Sequence, residues 1–170
     1  MRFTGLSLAR MAAIIIGAAV PGHAFASDLV ALPTVMPEGT IIVRTSERQL
    51  YLIVSPQQAR RYPVGVGRVE RQWSGTSFIK AKFIRPNWAP PDAVRKDNPK
   101  LPAVVAGGAP SNPMGAAAMT LSGGEYAIHG TNMPKSIGGF VSYGCIRMYN
   151  ADILDLYGRV DIGALVVVAP

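Results

Sequence analysis

The sequence predicts a mainly β fold, a sandwich or barrel with one or two short helices and a long irregular loop. Three observations predict it. Short β-branched and aromatic runs recur with period two through most of the chain. A single stretch near the C-terminus has the spacing of an amphipathic helix. Between them, Arg85 to Gly115 is rich in Pro, Gly and Asn and is too long for a simple connector, so it is expected to wall a cleft.

The N-terminus reads as a targeting signal. "MRFTGLSLAR" carries Arg2 and Arg10 and no acid, Met11 to Val20 is a short apolar run, Pro21 and Gly22 break it, and Ala24 and Ala26 supply small residues. That order predicts a secretory signal over residues 1–26, cleaved after Ala26. The apolar run is about half the length that spans a bilayer, so no stable membrane insertion is expected. Residues 27–39, with two prolines and no period, form a short lead, and residues 40–170 form one domain. "TIIVRT" and "QLYLIV" flank the polar "SER" at Ser46–Arg48, a hairpin signal. "RYPVGVG" follows, and "SFIKAKFI" alternates Ile79, Ala81 and Phe83 against Lys80 and Lys82. "AAAMTLS" and "EYAIH" read as two further strands and "GALVVVA" as a last buried one. The helix is placed with Asn150 as N-cap, Asp152 in the first turn, Ile153, Leu156 and Tyr157 on its apolar face and Gly158 as its stop.

Without Arg2 and Arg10 the mature chain keeps 15 of its 17 basic residues against 10 acids, a net charge of about +5. The basic residues are scattered, with no aromatic-interleaved stripe, so nucleic acid is not an expected partner. A mildly basic surface suits an anionic polymer such as a cell wall. Beyond residue 26 there is one cysteine, Cys145, and one histidine, His129. These cannot form an internal disulfide and are too few for structural zinc, so neither metal nor cofactor is expected.

An idle thiol is a liability in an oxidising compartment, so Cys145 is expected to be used. It lies in "HGTNMPKSIGGFVSYGCIRM", which begins at His129 and places Arg147 two residues beyond the thiol. A thiol needs a base or a cation to ionise at neutral pH, and His129 is the candidate base. If Cys145 to Met148 is extended, Cys145 and Arg147 share one face about 7 Å apart while Ile146 and Met148 point into the core. Arginine grips carboxylates through two parallel hydrogen bonds, so Arg147 suits a substrate with a free carboxyl. Gly144 allows close backbone approach, and the N–H groups of Tyr143, Gly144 and Cys145 are candidate oxyanion donors. Together these groups describe cysteine acyl transfer and leave the acyl group open.

"IHGT" at Ile128–Thr131 followed by "SYGCIRM" at Ser142–Met148 resembles the signature of the L,D-transpeptidase catalytic domain (YkuD-like) family. "LYLIV", "YPVGVG", "WSGTSFIKAKFIRPNWAPP" and "NPMG" resemble its earlier blocks in order, so the likeness covers most of the mature chain. The resemblance implies an L,D-transpeptidase-like β fold with Cys145 as nucleophile and His129 as general base. The Gly130 carbonyl would orient the imidazole, and Ser142 and Arg147 would contact the peptide stem. It implies a periplasmic, monomeric enzyme that attacks a peptidoglycan tetrapeptide stem after the L-centre of diaminopimelate. D-alanine would leave, and the thioester would pass to an amine on another stem, a D-amino acid or an outer-membrane protein. Carbapenems are the family's typical inhibiting acyl donors. Many members carry histidine where this chain has Tyr143, so its mechanism must run on His129 alone. Water as acceptor, or a non-catalytic wall-binding scaffold, are the competing expectations. A sortase would place its histidine farther upstream, and a papain-like peptidase would place cysteine before histidine.

Overall fold

The computed structural model describes residues 27–170; the signal expected over residues 1–26 lies outside them. In chain order the elements are β1 (Asp28–Ala31), β2 (Ile41–Arg44), β3 (Gln49–Ser55), β4 (Gln58–Pro63), β5 (Val66–Gly67), β6 (Gly75–Ile84), α1 (Asp92–Asp97), β7 (Ala117–Leu121), β8 (Ala127–His129), β9 (Phe140–Ser142), β10 (Ile146–Arg147), α2 (Asn150–Arg159) and β11 (Leu165–Ala169). The mainly β expectation holds. A mixed sheet runs β1-β4-β3-β2-β11-β6-β7-β8-β10, and β5 pairs separately with β9. It curls over its core like a sandwich and does not close into a barrel.

Strand β6 makes the curl. Its first residues pair with β11 and its later ones with β7, and a register shift between Ile79 and Ala81 separates the two halves. A bulge bends and twists a strand and changes which face the following residues present. Ile79 is accordingly buried, but Phe83 and Ile84 are exposed. The alternation expected for Phe83 therefore fails beyond the bulge. Lys82 instead reaches α2, where its Nζ donates to the carbonyls of Tyr157 (2.7 Å) and Val160. A cation bonding the last carbonyls is a helix C-cap, which corrects the placement of Gly158 as the stop. The helix runs through Gly158 to Arg159.

The other end of α2 differs as well. Tyr149 occupies the N-cap, and Asn150 is the first helical residue. Its Oδ1 accepts the backbone N–H groups of Ala116 and Thr131, both at 3.0 Å. Asn150 thus ties the entry to β7 to the exit of β8. The helix lays Ile153 and Leu156 into a core that also takes Ile41, Leu50 and Tyr62 from one half of the sheet and Ile79, Met119, Ile128 and Ile146 from the other. The lead contains an edge strand: β1 pairs antiparallel with β4, and Arg61 holds Asp28 at 3.0 Å. An edge strand exposed on both faces has no hydrophobic alternation to betray it. Among the described residues no helix is long and apolar enough to cross a membrane.

The Arg85–Gly115 segment is ordered by one side chain. Asn112 is buried, and its Nδ2 donates to the carbonyls of Pro86 (2.9 Å), Val105 (3.3 Å) and Ala106 (3.0 Å), while its Oδ1 accepts the N–H of Met114 (2.9 Å). Trp88 and Val105 exchange backbone hydrogen bonds beside it. Val105 and Ala106 keep the backbone donors Trp88 and Ala109, but replacing Asn112 by alanine leaves the Pro86 carbonyl without its donor and the Met114 N–H without its acceptor, and each unsatisfied group costs about 1–3 kcal/mol. Asn112→Ala is expected to lower unfolding free energy by about that amount in urea denaturation and to open the 85–115 segment to limited proteolysis before the rest of the chain.

Candidate active site

The turn between β9 and β10 carries Tyr143, Gly144 and Cys145, and three independent restraints fix it. Ser142 Oγ donates to the carbonyl of Cys145 at 2.6 Å and accepts the N–H of Gly144 at 3.1 Å. Trp73 Nε1 donates to the carbonyl of Gly144 at 2.9 Å. The Trp73 ring lies flat on Tyr126, centroids 5.0 Å apart and planes 6° from parallel. Tyr126 in turn closes off the space at Gly144, where a Cβ would come within 2.4 Å of its ring. Gly144 also has φ +119°, a conformation that side-chain-bearing residues rarely adopt.

Two expectations change here. Ser142 is buried with both hydrogen-bonding roles of its hydroxyl used inside the turn that carries Cys145, so the hydroxyl is not free for the stem contact expected of it. The Gly144 N–H already serves Ser142, which removes it from the oxyanion donors.

Beyond the turn the chain is extended. Ile146 and Met148 are buried, and Cys145 and Arg147 lie half-exposed on the opposite face. Strand β10 runs parallel to β8 with Arg147 opposite His129 and Ile146 opposite Ile128, and the Met148 N–H donates to the carbonyl of His129 at 2.8 Å. Register alone therefore brings the guanidinium and the imidazole to one surface, with the thiol two residues away along the strand. His129 is only 4% exposed. Its Nδ1 sits 2.6 Å from the carbonyl of Gly130, a contact that requires Nδ1 to carry the proton and leaves the lone pair on Nε2. Gly130 has no room for a side chain, since a Cβ would stand 2.3 Å from Asn150 Oδ1.

Burial sets the resting charges. It pushes the Cys145 thiol up; contact with the Ala127 backbone and the charge of Arg147 pull it down, and Glu125 pushes it up again. Burial pushes the imidazole of His129 down to about 4, helped by Arg147 and opposed by the carbonyls of Gly130 and Pro113. The resting pair is thus a neutral thiol and a neutral imidazole. Arg147 is held down chiefly by its own burial and supported by Cys145. Its buried Nε has no hydrogen-bond partner among the described residues, and no carboxylate there pairs with it.

Cys145 opens onto a cleft of about 340 Å³. The turn between β7 and β8 (Gly123, Gly124, Glu125) and Tyr126 form one wall. Pro91 and Ala93 of the α1 region form the other, with Arg71 and Tyr143 beside them. The long segment is a cleft wall, as expected. The Tyr143 hydroxyl donates to Asp97, and Arg68 and Arg71 lie over its ring at 4.2 and 5.7 Å. Sequence reasoning missed Trp73, Tyr126 and Asn150. Trp73 gave one usable signal, because a buried indole N–H needs an acceptor. The other two act through contacts between distant segments.

A family model described as the L,D-transpeptidase catalytic domain (YkuD) matches residues 38–168. YbiS of Escherichia coli (strain K12), which carries the L,D-transpeptidase name, is 36% identical over 141 residues, covering 79% of this chain and 45% of YbiS. YkuD of Bacillus licheniformis, named likewise, is 33% identical over 153 residues, covering 88% of this chain and 79% of that protein. The chain thus spans about half the length of YbiS and most of YkuD. L,D-transpeptidase 3 from Mycobacterium tuberculosis superposes with a TM-score of 0.61 at 16% identity, over 77% of this chain and 60% of that one. The catalytic domain of the Enterococcus faecium L,D-transpeptidase, solved acylated by ertapenem, gives 0.60 at 16% identity, over 79% of this chain and 98% of that one. At such identities the structures share the fold.

A neutral resting pair makes a specific pH profile. A thiolate–imidazolium pair formed in advance would give alkylation a plateau at acid pH, whereas a raised thiol gives a rate that keeps climbing. Alkylation of Cys145 by iodoacetamide is expected to rise continuously from pH 6 to beyond pH 9. An acid plateau would show that the charged pair exists before substrate arrives.

Proposed function

Because this chain belongs to the L,D-transpeptidase catalytic-domain (YkuD) family, we propose that it is a cysteine acyltransferase acting on peptidoglycan tetrapeptide stems in the periplasm. The observation that carries the reading is Arg147. It is a half-buried guanidinium with no acidic partner among the described residues, on the same face as the only thiol and opposite the only histidine of the mature chain. A cation kept partly out of water without a counter-ion is costly unless a ligand supplies one, and a stem peptide ends in a carboxylate.

In the proposed reaction the stem carboxylate binds Arg147 and brings the carbonyl of the diaminopimelate L-centre to Cys145. His129 Nε2 takes the thiol proton as sulfur attacks. The backbone N–H groups of Cys145 and Tyr143 receive the developing oxyanion in place of Gly144. Collapse breaks the bond to D-alanine, whose amine leaves with the proton from His129, and the acyl group remains on sulfur as a thioester. An acceptor amine then attacks, His129 removes its proton, and the thiolate leaves and is reprotonated by the imidazolium. A low imidazole pKa suits both halves: the ring is an unprotonated base at neutral pH and gives the proton up readily once it has it. The acceptor is an amine of another stem or of an envelope protein, and residues 1–26 would deliver the chain across the inner membrane.

The test is to mix the mature protein with purified tetrapeptide muropeptides and resolve the products by mass spectrometry. Loss of D-alanine with a cross-linked or amine-exchanged product is expected, and Cys145→Ser is expected to form none because an alcohol ionises far less readily than a thiol. A tripeptide stem alone would identify water as the acceptor, and an unchanged substrate would leave only the scaffold reading.

The Arg147 clamp has its own expected outcome. Loss of a hydrogen bond to a charged group costs roughly 1.5–3 kcal/mol, so Arg147→Ala should reduce kcat/KM for the stem about ten- to a few hundred-fold. Arg147→Lys keeps the charge but not the two-point grip. It should therefore leave iodoacetamide reactivity near the wild-type value while peptide turnover stays depressed. Full peptide turnover in Arg147→Ala would remove the clamp from the reaction.

A further inference from the structure

Helix α1 supplies a wall of the nucleophile cleft, yet it is poorly anchored. It has six residues, buries none of them, and lacks a side-chain N-cap. A helix this short is not stable alone and takes its position from tertiary contacts. It packs extensively against no strand. The side chain of Arg95 bonds only the carbonyls of Pro90 and Ala103, within its own segment. What ties α1 to the rest of the domain is Asp97. The carboxylate accepts the Tyr143 hydroxyl, and Arg68 Nη2 lies 3.7 Å from the same oxygen. Arg68 is itself stitched to the nucleophile turn, its backbone N–H donating to the carbonyl of Ser142 at 2.9 Å and its guanidinium lying 4.2 Å over the Tyr143 ring.

We propose that Tyr143 and Asp97, with Arg68 beneath them, form a latch that holds α1 against the nucleophile turn and thereby sets the cleft wall that binds the acyl-donor peptide. The phenol at position 143 is long enough to reach across the cleft rim to Asp97. Tyr143 and Asp97 act as positioning residues: neither side chain touches the reacting atoms, and both act through Pro91 and Ala93. Physically, a wall that is already ordered costs no ordering entropy when the peptide binds. A loose wall must be ordered out of the binding energy. The imidazole sits on β8, and the turn that carries the thiol keeps its own restraints from Ser142 and Trp73, so chemistry after binding is little affected. The arrangement has the charges it needs: Asp97 is held below the usual carboxylate range by the Tyr143 hydroxyl first, then by Arg68 and Arg71.

This inference rests on the transpeptidase reading for its kinetic consequence and on the fold alone for its structural one, so two measurements are paired. In steady-state turnover of the tetrapeptide stem, Asp97→Ala should raise KM about five- to ten-fold with kcat changed less than about two-fold. Tyr143→Phe, which keeps the backbone N–H and leaves Arg68 facing Asp97, should raise KM by no more than Asp97→Ala does, and the double variant should go no further than Asp97→Ala, because the Tyr143–Asp97 bond is already lost there. Asp97→Asn, which keeps an acceptor for the phenol but loses the charge facing Arg68, should fall between wild type and Asp97→Ala. In amide hydrogen exchange of the same four proteins, Asp92–Asp97 should exchange faster in each single variant and no faster in the double, while α2 stays as protected as in wild type. Unchanged exchange in α1, or losses that add in the double variant, would overturn the latch whatever the activity. If the wild-type protein turns over no stem peptide, the exchange pattern still decides the latch, and the transpeptidase reading alone fails. Faster exchange with an unchanged KM would separate the latch from substrate binding and overturn its role in the cleft.

Discussion

A two-residue parallel ladder carries the site. Pairing of β8 with β10 puts Arg147 opposite His129, and because side chains alternate along each strand, Cys145 shares their face. A parallel pair cannot be closed by a tight turn and needs a crossover. Here the crossover is the Gly130–Cys145 segment, and it is stitched on both sides. Strand β9 pairs with β5, and Gly65 exchanges hydrogen bonds with Arg147 at 2.9 and 2.8 Å. Strand β10 is thereby held between two neighbours although it is only two residues long. The buried side chains on its other face, Ile146 and Met148, fix the register, because a slip of one residue would turn the thiol into the core.

The same burial that fixes the register sets the electrostatics. Low polarity disfavours both a thiolate and an imidazolium, and it moves the two groups in opposite directions, thiol up and imidazole down. Arg147 is the one permanent charge in the group. It favours the thiolate and disfavours the imidazolium, so it biases where charge develops once the proton moves. Its Nε has no hydrogen-bond partner among the described residues, so the proposed stem carboxylate would give the guanidinium the counter-ion it lacks.

Support for this arrangement comes from far along the chain. The Trp73–Tyr126 stack closes the space above Gly144 and donates a hydrogen bond to its carbonyl. Asn150 binds two backbone N–H groups, one at the entry to β7 and one at the exit of the His129 strand, and Asn112 folds the long segment so that α1 reaches the cleft. Each is a polar or aromatic side chain satisfying backbone groups that the irregular segments would otherwise leave unpaired. The β sheet alone provides the register, and these contacts convert it into a cleft with two walls.

The sequence by itself determined the features that depend on near neighbours. Alternation from Cys145 to Met148 settles which side chains face the core, hydrophobic period settles most of the strands, and the scarcity of cysteine and histidine singles out Cys145 and His129 as the candidate pair. Tertiary structure decided what depends on segments meeting across the fold. The bulge in β6 reversed the face of Phe83 and sent Lys82 to cap α2, because Lys80 has no partner on β7 between the Ile79–Leu121 and Ala81–Thr120 pairs. β1 was illegible because an exposed edge strand carries no pattern. Asn150 and Ser142 looked like a helix cap and a substrate contact, since a side chain's type states what it can bond and not which partner arrives. Asn150 met two backbone amides from other segments, and the Ser142 hydroxyl was taken up within its own turn. Hydrogen-bonding capacity is written in the residue, but the partner that uses it is chosen by the packing of the whole chain.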